Sequence, residues 1–126
     1  MTEAAPEMAR KVGPAAIWIL IVLEAAAMGL AGISKFTATE MWTGLFTEWG
    51  YPIWFALVVG AAEAAGAGLL LFPKLASYAA GFLIMVMLGA LGTLVLNSSD
   101  LGLKAPALHL IVLAIILQAR WARRLR

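Results

Sequence analysis

Apolar residues dominate four stretches of the chain, 14–33, 53–72, 75–96 and 105–119, and polar residues gather between them. A helix rises about 1.5 Å per residue, so about 20 residues cross the roughly 30 Å hydrocarbon core of a bilayer. The first three stretches have that length. The fourth is shorter, so its flanking Lys104 and Arg120 are expected to snorkel, or the bilayer to thin around it. Pro14 suits a first helical turn, where its missing N–H leaves no bond unmade. Pro73-Lys74 stops the second stretch, and Asn97-Ser98-Ser99-Asp100 reads as a turn after the uncharged third. Ala25-Ala-Ala-Met28 weakly mimics a signal-peptide cleavage site. The length of that stretch and the charge at Glu24 favour a retained helix instead.

Between the first two stretches the pattern changes. Thr37 and Glu40 have capping-box spacing, and Met41, Trp42, Leu45, Phe46 and Trp49 then recur at helical intervals. This predicts a short amphipathic helix over about 38–49, lying in the membrane interface and ended by Gly50 and Pro52. A plain loop carrying interfacial aromatics is the alternative. The expected fold is all-α: a polytopic membrane four-helix bundle over residues 14–119, with a short interfacial helix between the first and second spans. A polar tail, 1–13, expected to fray, precedes it, and a basic tail, 120–126, follows.

Composition sharpens this picture. Of 126 residues, 63% are hydrophobic and 13% charged, against about half and about a quarter in a soluble domain. So short a chain has too little interior to hide that much apolar surface from water. There is no cysteine, which excludes disulfides, thiolate metal sites and iron–sulfur clusters, and a single histidine excludes bis-His haem or a multi-His metal site. No metal and no cofactor of its own are therefore expected.

The net charge of +2 does not point to nucleic acid, because four of the nine basic residues, Arg120, Arg123, Arg124 and Arg126, directly follow the last apolar stretch. That placement suits anchorage in anionic headgroups. With Arg10, Lys11 and Lys74 they put seven basic residues on one side, against Lys35 and Lys104 on the other. Both termini are then expected in the cytoplasm. Trp42, Trp49, Tyr51 and Trp54 would mark the outer interface, and Trp18, Tyr78 and Trp121 the inner one.

Lipid tails compete with leucine, so membrane helices associate through small residues that let backbones approach. Ala25 and Gly29, then Gly60, Ala64 and Gly68, then Gly81, Gly89 and Gly92 form such stripes.

Two carboxyl groups stand out. Glu24 follows Pro14 by ten residues and Glu63 follows Pro52 by eleven, which puts each about 15 Å deep on antiparallel spans. A charge at that depth costs at least about 2.5–3.5 kcal/mol, so both should face the bundle interior. Two carboxyls side by side in low dielectric resist double ionisation, so they are expected to share a proton. Such a pair is either a proton-responsive or ligand-binding site or a hydrogen-bonded clasp between two helices. His109, three residues after Pro106, is expected near the outer mouth of the bundle, bonded to the turn or relaying protons. Lys35 reads as an interface anchor, able to pair with Glu40, Glu48 or Asp100. No phosphate loop, metal spacing or nucleophile elbow occurs, and no catalytic residue is identified.

Several segments in order carry a family resemblance. They are Gly32-Ile-Ser-Lys35-Phe36, Trp49-Gly-Tyr-Pro52, Val59-Gly-Ala-Ala-Glu63 followed by Gly66, Gly68 and Leu69-Leu-Leu-Phe-Pro73, and Met87-Leu-Gly-Ala90. Over roughly residues 14–124 the chain resembles the DoxX-like membrane proteins. The resemblance implies a four-helix membrane bundle in a bacterial inner (cytoplasmic) membrane, with Lys35, Pro52, Gly60, Glu63 and Gly66 at family positions. Glu24 is not part of that pattern. Named members are associated with quinol or sulfur oxidoreductase complexes. This implies an accessory or assembly subunit without independent catalytic activity, or a bundle that binds quinone or lipid, with other membrane subunits or copies of itself as partners. A small proton-coupled transporter using Glu24 and Glu63 is the alternative, since the chain also looks like the small multidrug resistance family in length and span number.

Overall fold

The structure is a computed structural model that describes residues 4–97 and 102–124, with side chains over 13–97 and 102–122. Five helices follow one another: α1 (Ala4–Thr37), α2 (Thr39–Glu48), α3 (Ile53–Leu70), α4 (Ala76–Leu96) and α5 (Lys104–Arg124). Four are long and apolar enough to cross a membrane, α2 being the exception. The expected all-α bundle, with its short helix between the first two spans, is the fold observed.

Several boundaries differ from the sequence expectation for local reasons. Residues 4–12 are helical rather than a frayed tail, in keeping with the helix-forming Ala4, Ala5, Met8 and Ala9. Gly13, at φ 80° and ψ 157°, then breaks the helix just ahead of Pro14. At the other end α1 runs to Thr37, four residues past the expected stop. Thr37 is therefore helical and turns its hydroxyl back to the Ile33 carbonyl at 3.5 Å, so no capping box forms. Backbone bonds enter α2 instead, from the Ala38 N–H to Ser34 and from the Trp42 N–H to Ala38. Pro52, extended at φ −61° and ψ 152°, starts α3. The turn expected over 97–100 lies mostly outside the described residues. Asn97 is the C-cap of α4 and donates its side-chain amide to the Thr93 carbonyl at 2.8 Å.

Among the described residues, α1 packs against α3 and α5, and α4 packs against the same two, so the spans form a square in the order α1, α3, α4, α5. α2 lies against α3 and α1. The outside of the square is apolar: Leu23, Leu30, Val58, Met85, Leu88 and Ile111 are all exposed there, which suits a lipid surround.

The small residues act at one crossing. A Cβ on Gly32 would lie 2.6 Å from the Gly60 carbonyl oxygen, and one on Gly60 would lie 2.8 Å from that of Gly32, so α1 and α3 meet there backbone to backbone. Gly66 makes room for Leu83 of α4. Gly81, Gly89 and Gly92 meet nothing, so the stripe on α4 makes no such close approach, and on α3 the contact extends over Gly60 and Ala64 but not to Gly68.

The packed core fills one half of the bundle. Ile17, Ile21, Ala25 and Met28 form a helical stripe on α1 and meet Leu70, Leu83, Leu113 and Ile116. These residues come from the early part of α1 and α4 and the late part of α3 and α5. The half nearer α2 is thus left to a different arrangement.

Candidate binding cavity

That half holds a cavity of about 500 Å³. α2 supplies Trp42 and Phe46 to an aromatic wall, joined by Trp49 at its C-cap and by Tyr51 and Phe55. The rings hold one another: Phe46 sits 5.3 Å from Trp49, 5.8 Å from Tyr51 and 6.0 Å from Phe55, centroid to centroid. Such tilted contacts suit aromatic quadrupoles. The Tyr51 hydroxyl and the Thr93 hydroxyl are 2.7 Å apart, tying the α2–α3 connection to α4. Three of the four aromatics expected as an outer belt are therefore half-buried cavity wall, and Trp54 alone of the four is turned out. Tyr78 and Trp121 are exposed.

Lys35, Glu63 and His109 supply the charge-bearing part of the lining. Glu24 and Glu63 are both buried inside the bundle, as expected of carboxyls at that depth. They do not pair with each other as expected, and each lies against its own basic partner. Lys35 Nζ lies 2.7 Å from Oε1 of Glu63, with both side chains 5% exposed. Lys35 is therefore no interface anchor, and Glu40 and Glu48 are exposed instead of pairing with it; Asp100 lies outside the described residues. The reason is the extra turn of α1, which keeps Lys35 inside the helix at the Gly32–Gly60 crossing, where α3 approaches closely enough for Glu63 to reach it.

Lys35 makes a second contact. Its Nζ lies 4.0 Å from the centroid of the Trp42 ring, a cation–π geometry. The Trp42 indole N–H donates to the Ser34 hydroxyl at 3.0 Å, and that hydroxyl donates to the Ala31 carbonyl at 2.6 Å. One lysine thus links the aromatic wall to the carboxylate of α3.

His109 is also displaced from its expected place. Its Nδ1 lies 2.7 Å from Oε2 of Glu24. Glu24 is well inside α1 and His109 is only one and a half turns into α5, so the start of α5 is set back from the end of α1. His109 therefore belongs to the interior, not to the mouth. At the far end of the bundle Arg120 is a further correction. It is 3% exposed and its guanidinium carbon lies 4.8 Å from the Trp18 ring, so it packs inward instead of snorkelling. The helix continues past it to Arg124, which gives the fourth span its length.

The residues that carried the family resemblance converge here: Gly32 and Gly60 at the crossing, Lys35 and Glu63 as the ion pair, Pro52 opening α3 behind Tyr51. The chain matches the DoxX-like family over residues 19–117. It belongs to that family. The match takes in the second and third spans, most of the first and fourth, and the helix between the first two. No curated protein and no solved structure matches the chain. Glu24 and His109 also lie within the matched region of this DoxX-like protein, although sequence reasoning left them unconnected.

Among the described residues no three His, Cys, Asp or Glu side chains gather as a metal site would need. What the arrangement offers is a lipophilic chamber with stacking surfaces on one side and, on the other, polar groups held by the Lys35–Glu63 ion pair and the His109–Glu24 hydrogen bond.

Proposed function

We propose that this DoxX-like protein binds a flat lipophilic molecule of the quinone class in the bilayer and holds it as an accessory subunit of a larger redox complex. The observation that carries this reading is the cavity: about 500 Å³, walled by Trp42, Phe46 and Trp49, with Lys35, Glu63 and His109 converging on it. Ligand chambers have about 300–1,000 Å³, mostly apolar walls and a few placed polar groups. A quinone-class ring matches both halves, stacking on the aromatics and meeting the polar side chains with its oxygens. The chain's lack of cysteine and its single histidine favour electron transfer by another subunit. The membrane is taken as the bacterial inner one, with both termini cytoplasmic, which puts the cavity in the outer half of the bilayer. Proton-coupled transport by Glu24 and Glu63 is the weaker reading, since a basic side chain already occupies each carboxylate.

Extraction from native membranes in mild detergent tests the proposal. Organic extracts of the purified protein should contain quinone near one per chain, and the protein should migrate with companion subunits. Filling the chamber with Ala90→Trp should remove the quinone. Wild-type protein free of quinone would overturn the binding reading, and recovery solely as free chain or homo-oligomer would overturn the accessory role.

A further inference from the structure

The square of spans is sealed unevenly. α1 and α3 meet backbone to backbone at Gly32 and Gly60, and α1 is tied to α5 through Glu24 and His109. Between α3 and α4 two contacts stand well apart. The hydroxyls of Tyr51 and Thr93, 2.7 Å from each other, hold the end near α2. Deeper in the bundle, Leu83 fills the space that Gly66 leaves. Thr93 follows Leu83 by ten residues of α4, which separates the two contacts by about 15 Å.

The cavity lies behind this stretch. α3 gives it Phe55 and Val59, and α4 gives it Met85, Val86, Gly89 and Ala90. Glu63 belongs to the same stretch of α3 but turns to Lys35 of α1. Met85, Gly89 and Thr93 recur at intervals of four and so share one face of α4. Thr93 is buried beside Tyr51, whereas Gly89 is exposed and Met85 is 73% exposed. A Cβ on Gly89 would meet no atom within 4 Å. Residues that line a cavity and also face outward mark its mouth, and here they sit within a membrane span. The remaining exposed lining, among the described residues, is Gly102 and Ala105 at the start of α5.

Resting on the binding reading above, we infer that the cavity opens sideways into the bilayer, through a window between α3 and α4 framed by Phe55, Val59, Met85 and Gly89. It takes up lipophilic molecules dissolved among the acyl chains, and not solutes from the aqueous side. The frame is apolar throughout, so such a molecule passes without leaving an apolar medium and no polar group is stripped of water on the way. Met85 is the movable edge, because its unbranched thioether chain changes rotamer without backbone movement.

A narrowed passage slows entry and exit alike and leaves the bound state as it was. The test holds the tagged full chain on a resin in detergent, loads it with decylubiquinone, and follows the quinone retained during a wash with quinone-free detergent. Gly89→Phe and Met85→Trp should each slow release about tenfold or more while equilibrium affinity stays within about threefold of wild type. Either variant suffices if the other does not accumulate. Ala105→Phe, at the other exposed part of the lining, should release quinone at the wild-type rate. Unslowed release from both window variants, or slowing by Ala105→Phe in their place, would overturn the inference and leave the binding reading standing. Wild type that retains no quinone at any loading would overturn both.

Discussion

Lys35 joins Trp42 of the cavity wall to Glu63 of α3, and its pairing with Glu63 has a measurable consequence. Removing one member of a buried ion pair strands the other charge and costs about 3–5 kcal/mol, whereas replacing both with apolar residues is often neutral. Lys35→Met alone should therefore destabilise the protein by about that amount in reversible unfolding from mixed micelles, and Lys35→Met with Glu63→Leu should recover most of the loss. Equal losses in the single and double variants would show that the two side chains are not coupled. The carboxylates were legible in the sequence because an acid amid apolar residues has no other reading than an interior one. Their partners were not. A lysine near the end of a span looks the same whether it snorkels or pairs inward, and the difference lay in four further residues of helix, up to Thr37. His109 was misplaced for a similar reason, since the setback of α5 against α1 is a tertiary property with no trace in local spacing.

Between helices, one crossing sets how closely α1 and α3 approach. Gly32 and Gly60 place carbonyl oxygens where any Cβ would sit, at 2.6 and 2.8 Å. Gly60→Ala has to push backbone against backbone, and overpacking of this kind costs about 1–3 kcal/mol. It should also loosen the Lys35–Glu63 contact one turn away. Gly68→Ala on the same helix meets nothing and should leave stability within about 0.5 kcal/mol of wild type. Unfolding midpoints of the two variants measured side by side check this, and indistinguishable values would remove the crossing from the account. The sequence showed four spans and the intervening helix because hydropathy and length report them directly. It did not show which glycines touch, since Gly60 and Gly68 share one stripe and only the approach of α1 distinguishes them. The amphipathic pattern of α2 was legible too. That its aromatics face a chamber and not headgroups was not, because an apolar face is suited equally to either.

For the molecule as a whole, the unequal halves of the bundle give orientation a functional meaning. The packed half lies toward the termini and the cavity toward α2, so the side of the membrane facing α2 is the side nearer the cavity. The sequence gives seven basic residues on the terminal side and two on the other. Two of the nine are drawn into the protein, Arg120 against Trp18 and Lys35 against Glu63. Subtracting one from each side leaves six against one, so the asymmetry that directs basic segments to the cytoplasm is retained. The absence of cysteine makes the chain ready for single-site labelling. Glu48→Cys, on the exposed face of α2, should react with a membrane-impermeant maleimide on intact cells. Lys74→Cys, between α3 and α4, should react only after permeabilisation. The reverse pattern would place the chamber in the cytoplasmic half of the bilayer, opposite to the half proposed for it.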